Sequence, residues 1–445
     1  MKNCIGIRRE TKDTTERRAP LTPAQVEKLV KKHGIRVIVE PSPQRVFTEE
    51  EYQKRGAEIS EDLRECNIIF GVKEIPIPDL EPEQTYCFFS HTIKAQPYNM
   101  PMLKKILELK DTLLDYELVK DHNHRRTIFF GNFAGYAGMI DSLWALGRRL
   151  QWEGYHTPFA EIQPAHQYES LEAAKAAIRE VGNQIREHGL PPALTPFVCG
   201  FTGYGQVSKG AQEIYDLLPS IQISAGELTE FFRKKEFDST HVYKVEFHKY
   251  DMFEPIPGQA HIDEFTWFEF NEHPEFFQGK FEQYVPYLTM LINGIYWEPR
   301  YPRLLSKKYL KELFQKETTP RLRIIGDITC DIEGSIEATV KATNSRNPVY
   351  VYHPETGEAL DGWEGRGVVI LAVDKLPTEL PRESSEFFGN SLLPYVPGLA
   401  AADFNVPFEA LELPEGFKEA VIVHQGKLTP SFQYLKPAVQ RVEDD

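Results

Sequence analysis

Two residues stand where an acid-base pair would be useful. Lys73 follows the apolar run Ile68-Ile69-Phe70-Gly71-Val72, and a lysine at the mouth of a buried strand is desolvated, which lowers its proton affinity toward the range of a general base. The alternative is a surface lysine paired with Glu74. His91 closes a second run, Tyr86-Cys-Phe-Phe-Ser90, where an imidazole can exchange protons near neutral pH; a capping or buried structural histidine is the competing reading. Lys94, Gln96 and Asn99 follow it in a polar loop suited to face a ligand. Arg17 and Arg18 precede the first helix and Arg125 and Arg126 precede a further apolar run; each pair is either a carboxylate grip or a solvated basic patch.

A second constellation is the turn Gly200-Phe-Thr-Gly203-Tyr-Gly205-Gln-Val-Ser208-Lys-Gly210, set between an apolar strand and an amphipathic helix. Glycines there let backbone approach a pyrophosphate at a helix N-terminus. Ser208 takes the place of the third glycine of GxGxxG. The ribose-binding acid expected about 20 residues on is missing, because the next strand, 221–223, ends in Ser224 and Glu227 comes late; this leans toward NADP(H) over NAD(H). Asp327 and Asp331 bracket Asp-Ile-Thr-Cys-Asp at another strand end, where they could bind ribose or polarise a catalytic group.

The elements that must position these groups alternate strand and helix. Strands are expected at 2–7, 36–40, 67–72, 86–89, 112–114 and 127–130, with a helix after Pro23, so that Lys73, His91, Glu117 and Gly131 sit at four successive strand ends, where open α/β sheets bind ligands. Spacing predicts a helix over 135–150 that carries the chain into a second domain. There, strands are expected at 196–201, 288–297, 322–328, 349–352 and 367–373, and a helix near 384–388. The polar, aromatic-rich segment 236–283 has little periodicity and reads as an insertion or lid.

A length of 445 residues points to two domains, with 41% hydrophobic and 26% charged residues typical of a globular chain. The formal charge of −15 disfavours nucleic acid and anionic membranes, and no run approaches the ~20 apolar residues of a bilayer span. The start MKNCIGIRRE does not read as a signal peptide, and five cysteines without CxxC spacing fit a reduced, cytoplasmic setting. The 13 histidines include no HExxH, so no metal is expected.

Taken in order, Arg8-Arg-Glu, Glu16-Arg-Arg-Ala-Pro-Leu-Thr-Pro23, Gly71-Val-Lys-Glu74, Phe89-Ser-His-Thr-Ile-Lys-Ala-Gln96, Gly135-Tyr-Ala-Gly-Met-Ile-Asp141, Val207-Ser-Lys-Gly-Ala-Gln212, Leu291-Ile-Asn-Gly-Ile-Tyr-Trp-Glu298, Pro302-Arg-Leu-Leu305 and Asp331-Ile-Glu-Gly-Ser-Ile-Glu337 span nearly the whole chain. The chain resembles the saccharopine dehydrogenase and lysine-ketoglutarate reductase family, within the alanine dehydrogenase superfamily. It resembles in particular the lysine-ketoglutarate reductase half of bifunctional aminoadipic semialdehyde synthase.

The resemblance implies an α/β fold of two Rossmann-like domains with parallel sheets flanking a cleft. The first, 1–134 with 380–445, is discontinuous and carries the substrate; the second, 135–379, binds the dinucleotide and holds the insertion near 236–283. It also implies condensation of L-lysine with 2-oxoglutarate to saccharopine, or the reverse, with Lys73 and His91 as acid-base pair. Arg18, Lys94, Glu117 and Arg126 fall on the substrate side, and Gly203, Gly205, Gln206, Val207, Ser224, Asn293, Asp327 and Asp331 on the cofactor side. The saccharopine-cleaving half would be a separate dehydrogenase. Another amino-acid dehydrogenase, or a non-catalytic nucleotide-binding regulator, are the competing readings.

Overall fold

A computed structural model describes residues 3–258 and 265–442; Lys2, placed in the first strand from sequence, lies outside the described residues. The chain divides into two compact units, Met1–Gly131 with Pro381–Asp445, and Asn132–Leu380.

The first unit opens with β1 (Cys4–Ile7), β2 (Arg36–Val39), β3 (Glu58–Ile59), β4 (Ile68–Phe70), β5 (Thr85–Phe88) and β6 (Thr112–Asp115). In the second, β7 (Phe197–Thr202), β8 (Ser220–Gln222) and β9 (Val242–Phe247) are followed by a small hairpin of β10 (Phe253–Pro255) and β11 (Phe277–Gly279). Then come β12 (Met290–Asn293), β13 (Ile324–Asp327), β14 (Val349–Tyr352), β15 (Ala359–Asp361) and β16 (Val368–Leu371). The chain returns to the first unit with β17 (Val421–His424) and β18 (Lys427–Leu428).

The first sheet has the order β18-β17-β6-β5-β4-β1-β2-β3, with β1 to β6 parallel and β17 antiparallel to β6. Its central strands are buried throughout, which is why they read as unbroken apolar runs rather than alternating ones. The helix Pro23–His33 begins where Thr22 and Gln25 form a capping box with proline in the first turn, and ends at Gly34 in the left-handed region.

The second sheet has the order β15-β14-β16-β13-β12-β7-β9-β8, parallel from β8 to β16 and closed at one edge by antiparallel β14 and β15. The helix Phe133–Trp152 is apolar on most of its circumference and correspondingly buried. It meets the helix Gln206–Tyr215 so closely that a Cβ on Gly135 would stand 2.0 Å from the Val207 carbonyl oxygen.

Two expectations are corrected. Residues 127–130 form no strand: after an isolated bridge between Lys120 and Arg126 the segment is irregular, and its apolar run instead packs rings, Phe130 stacking on Phe388 at 4.7 Å. The segment 236–283 is not wholly an insertion, since β9 within it is an interior strand of the sheet. Lys244 and Glu246 interrupt its apolar pattern, but Lys244 is paired with Asp216 at 2.7 Å and buried.

Candidate active site

The loops after β1, β4 and β5 carry the reactive side chains of the first unit. Glu10, just past β1, is buried and accepts the backbone N–H groups of Val72 (2.7 Å) and Lys73 (2.9 Å), fixing the turn that presents Lys73 and Glu74. Burial pushes the Glu10 carboxyl up. Lys73 is half-buried, and its positive charge reaches Glu16.

Glu74 pairs with His91 and with Lys12. His91 Nδ1–H donates to Glu74 Oε1 at 2.7 Å, and Lys12 Nζ reaches the same oxygen at 2.8 Å. Burial alone would raise this carboxyl, but the hydrogen bonds from His91 and Lys12 outweigh it and hold Glu74 at about 2. The bond to Nδ1 orients the imidazole with Nε2 as its remaining proton-exchanging atom. His91 itself is in the left-handed region (φ 50°), held there by Asn99 Nδ2 donating to its carbonyl at 3.1 Å, the kind of strained backbone that gathers at functional sites.

Arg18 is buried and bound bidentately by Glu16, with Nε to Oε1 at 2.8 Å and Nη2 to Oε2 at 2.6 Å, its guanidinium lying 3.9 Å over the Phe130 ring. Burial works against the Glu16 charge, yet Arg18 holds that carboxyl below its ordinary value. With two nitrogens committed, Arg18 retains Nη1 for a ligand. Arg126 donates from Nε to the Ile128 carbonyl (3.0 Å), lies 5.2 Å from the Phe89 ring centre and 4.0 Å from Glu117, and is lowered by burial. Phe89 also stacks on His91 at 6.4 Å, so one ring joins both groups. Glu117 stands in the turn after β6, its N–H bound to Asp115. Lys94 is exposed on the turn after His91.

In the second unit, β7 runs into Gly203 at φ 84°, and the helix Gln206–Tyr215 starts at Gly205 without a side-chain cap. A Cβ on Gly205 would meet nothing within 4 Å, whereas one on Gly203 would press on Ile295 and Gly294. An open glycine cradle at an uncapped helix N-terminus, with Gln206 exposed and Val207 half-buried in its first turn, fits a dinucleotide pyrophosphate. Ser208 is buried and accepts from Gln212; among the glycines of this turn the tightest approach falls at Gly210, whose Cβ would lie 2.5 Å from the Asn132 carbonyl oxygen.

The other cofactor-side candidates sit differently. Asn293 is wholly buried, accepting from Thr202 Oγ1 (2.7 Å) and donating to Asp327 (2.8 Å) and Ser335 (2.8 Å), while Asp327 also accepts from Thr329 and Thr339. These bonds cross-link β7, β12 and β13. Asp331 begins the turn closed by Gly334. Ser224 donates N–H and hydroxyl to Glu227, and β9 separates its strand from β7.

Sequence reasoning missed Glu10 and Glu16 as site residues, although both lie inside the quoted segments Arg8-Arg-Glu and Glu16-Arg-Arg. An isolated glutamate looks solvated until its partners are known.

The alanine dehydrogenase/PNT N-terminal domain pattern matches residues 6–137, and the C-terminal domain pattern matches 281–431. The chain belongs to the alanine dehydrogenase/PNT family. Within it, the sequence groups with alpha-aminoadipic semialdehyde synthases and saccharopine dehydrogenases. It is 40% identical to the alpha-aminoadipic semialdehyde synthase of Arabidopsis thaliana over 450 residues, covering 97% of this chain and 41% of that protein. It is 36% identical to the mitochondrial alpha-aminoadipic semialdehyde synthase of Bos taurus (98% and 48%), and 26% identical to the saccharopine dehydrogenase [NAD(+), L-lysine-forming] of Candida glabrata (88% and 90%). The chain therefore spans less than half the length of these synthases. In fold it is similar to an L-alanine dehydrogenase, with TM-score 0.60 at 18% identity over 98% of this chain and 99% of that one.

Proposed function

We propose that this chain is an amino-acid dehydrogenase that condenses L-lysine with 2-oxoglutarate to saccharopine, or runs the reverse cleavage, with NADP(H) favoured over NAD(H). The observation that carries the reading is the Glu74–His91 pair at 2.7 Å beside Lys73, on adjacent strand-end loops. The pattern of relatives supports the substrate class.

Lysine's ε-amine must lose a proton to attack the ketone, and the carbinolamine oxygen must gain one to leave as water. Lys73, as base, takes the first proton at Nζ. His91, oriented by Glu74 through Nδ1, delivers the second from Nε2. Arg18 and Arg126 hold substrate carboxylates, with Glu16 and Glu117 keeping the pocket's charge near balance. The cofactor, when bound, supplies the hydride that reduces the imine carbon. Gly203 and Gly205 seat its pyrophosphate.

The test is purified protein with NADPH or NADH, lysine and 2-oxoglutarate, followed at the nicotinamide absorbance band. Lysine-dependent oxidation is expected, faster with NADPH. Oxidation instead with pyruvate and ammonia would identify an alanine-type dehydrogenase, and no turnover with any pair would remove the dehydrogenase reading.

A further inference from the structure

In open nucleotide-binding sheets of order 3-2-1-4-5-6, the strand beside the glycine-turn strand ends at the adenosine ribose. Here the strand that follows the glycine turn in sequence is not that neighbour. The order β7-β9-β8 places β9 against β7, paired over six residues from Phe197 with Val242 to Thr202 with Phe247, while β8 pairs with the far side of β9. Gly203 N–H extends the ladder to the Phe247 carbonyl at 3.4 Å, which sets His248 opposite the first glycine of the turn. The ribose-reading position therefore falls on His248 and Lys249, and not on Ser224. This stretch lies between the two matched family domains, 6–137 and 281–431.

The chemistry of that corner is basic and aromatic. The His248 ring stacks on Tyr204, the residue between Gly203 and Gly205, at 5.0 Å, and on Tyr250 at 5.3 Å. The Asp251 N–H donates to the His248 carbonyl at 2.9 Å and the Asp251 carboxylate accepts the His248 N–H at 2.8 Å; the ring's Nε2 faces Glu246 Oε1 at 3.2 Å. Glu246 is further bound by Gln212 Nε2 at 2.6 Å. Lys249 Nζ lies 4.4 Å over Trp267 and 3.4 Å from Asn271 Oδ1. A ribose 2′-hydroxyl is normally met by a carboxylate at the strand end, a 2′-phosphate by cations. The end of β9 offers two adjacent basic side chains.

We propose that His248 and Lys249 read the 2′-phosphate of NADP(H), at a ribose-reading position that the strand order moves from β8 to β9. The inference rests on the nicotinamide-cofactor reading above. It is tested by calorimetric binding of 2′,5′-ADP and 5′-AMP, which differ only in the 2′-phosphate, to the parent and to His248→Asn, Lys249→Met and Ser224→Ala. Asn keeps a polar side chain and the backbone bonds to Asp251, and Met keeps the Lys249 stem against Trp267.

The parent should prefer 2′,5′-ADP. Each of the first two variants should weaken it about tenfold, the scale of one charge-assisted hydrogen bond, while moving 5′-AMP less than about twofold. Equal binding of the two nucleotides by the parent, parallel weakening of both in the variants, or a loss of discrimination at Ser224→Ala instead would overturn the assignment. Binding of neither nucleotide would remove the cofactor reading itself, and this one with it.

Discussion

Replacing Glu74 by glutamine removes one charge and little volume, so it isolates what the carboxylate does for His91. Oε1 receives both His91 Nδ1–H and Lys12 Nζ, and the side chain is only 7% exposed. An amide oxygen still accepts, but the bond changes from charge-assisted to neutral, a loss of about 1–1.5 kcal/mol in each interaction. If the oriented imidazole is used in the rate-limiting proton transfer, kcat/KM for lysine falls about tenfold. The same carboxylate, held at about 2 against an ordinary 4.5, contributes roughly 3 kcal/mol to folding. Its folded-state value is depressed, so this contribution is complete above about pH 5 and is lost as pH falls through that interval. Glu74 is therefore ionised throughout the working range, and the variant's rate deficit should be present at every pH from 5.5 to 9. Initial rates at the nicotinamide band across that range, with thermal melts of both proteins, measure the two effects separately. A folded Glu74→Gln protein with kcat/KM within about twofold of the parent at every pH would refute the positioning of His91 by Glu74.

Lys73→Met and His91→Gln should each slow turnover by about 10²-fold or more, the usual scale for acid-base groups, and near-parental rates would take them out of the mechanism. Asp141 is fully buried, and burial together with the neighbouring Glu379 raises its carboxyl well above the ordinary range; Asp141 Oδ2 and both Glu379 oxygens are buried without a hydrogen-bond partner among the described residues, with His166 3.6 Å away. The folded state thus keeps a proton that the unfolded chain releases, and stability should fall as pH rises above about 4. Asp141→Asn keeps an acceptor for the Ala165 N–H and should stabilise the protein by about 1–2 kcal/mol at pH 8, with the gap closing toward pH 4; urea titrations at both pH values that show the same gap would contradict this. Gly135→Ala forces a Cβ against the Val207 carbonyl and should cost about 1–3 kcal/mol in the same titration, a neutral result meaning that the two helices can part at no cost.

The fold class was legible because the central strands of both sheets are buried on both faces. Such strands carry continuous apolar runs, as at Ile68–Phe70 and Val368–Leu371, and helix ends such as Thr22 and Gly34 advertise themselves by capping chemistry. The two misread segments fail for opposite reasons. Residues 127–130 are apolar because their rings pack beside Arg18 and Phe388, not because they join a ladder. Val242–Phe247 joins a ladder despite two charges, because Asp216 and Gln212 are there to receive Lys244 and Glu246. Hydrophobic pattern reports burial, and burial has more than one cause.

The same distinction separates the two kinds of site residue. Strand-end position singles out Lys73 and His91 from sequence, since a chain that alternates strand and helix leaves its carboxyl-end loops on one edge. Which glutamate serves which cation is decided by three loops far apart in sequence. Glu10 belongs to the turn before Lys73, Glu16 to Arg18, and Glu74 to His91. In the second unit the sequence distance from glycine turn to ribose reader assumes that successive strands are neighbours. That assumption fails at β8, where one exchange of strand order moves the expected position by two dozen residues, from Ser224 to His248. A spacing rule is a topological statement in disguise, and it holds only as far as the sheet order behind it.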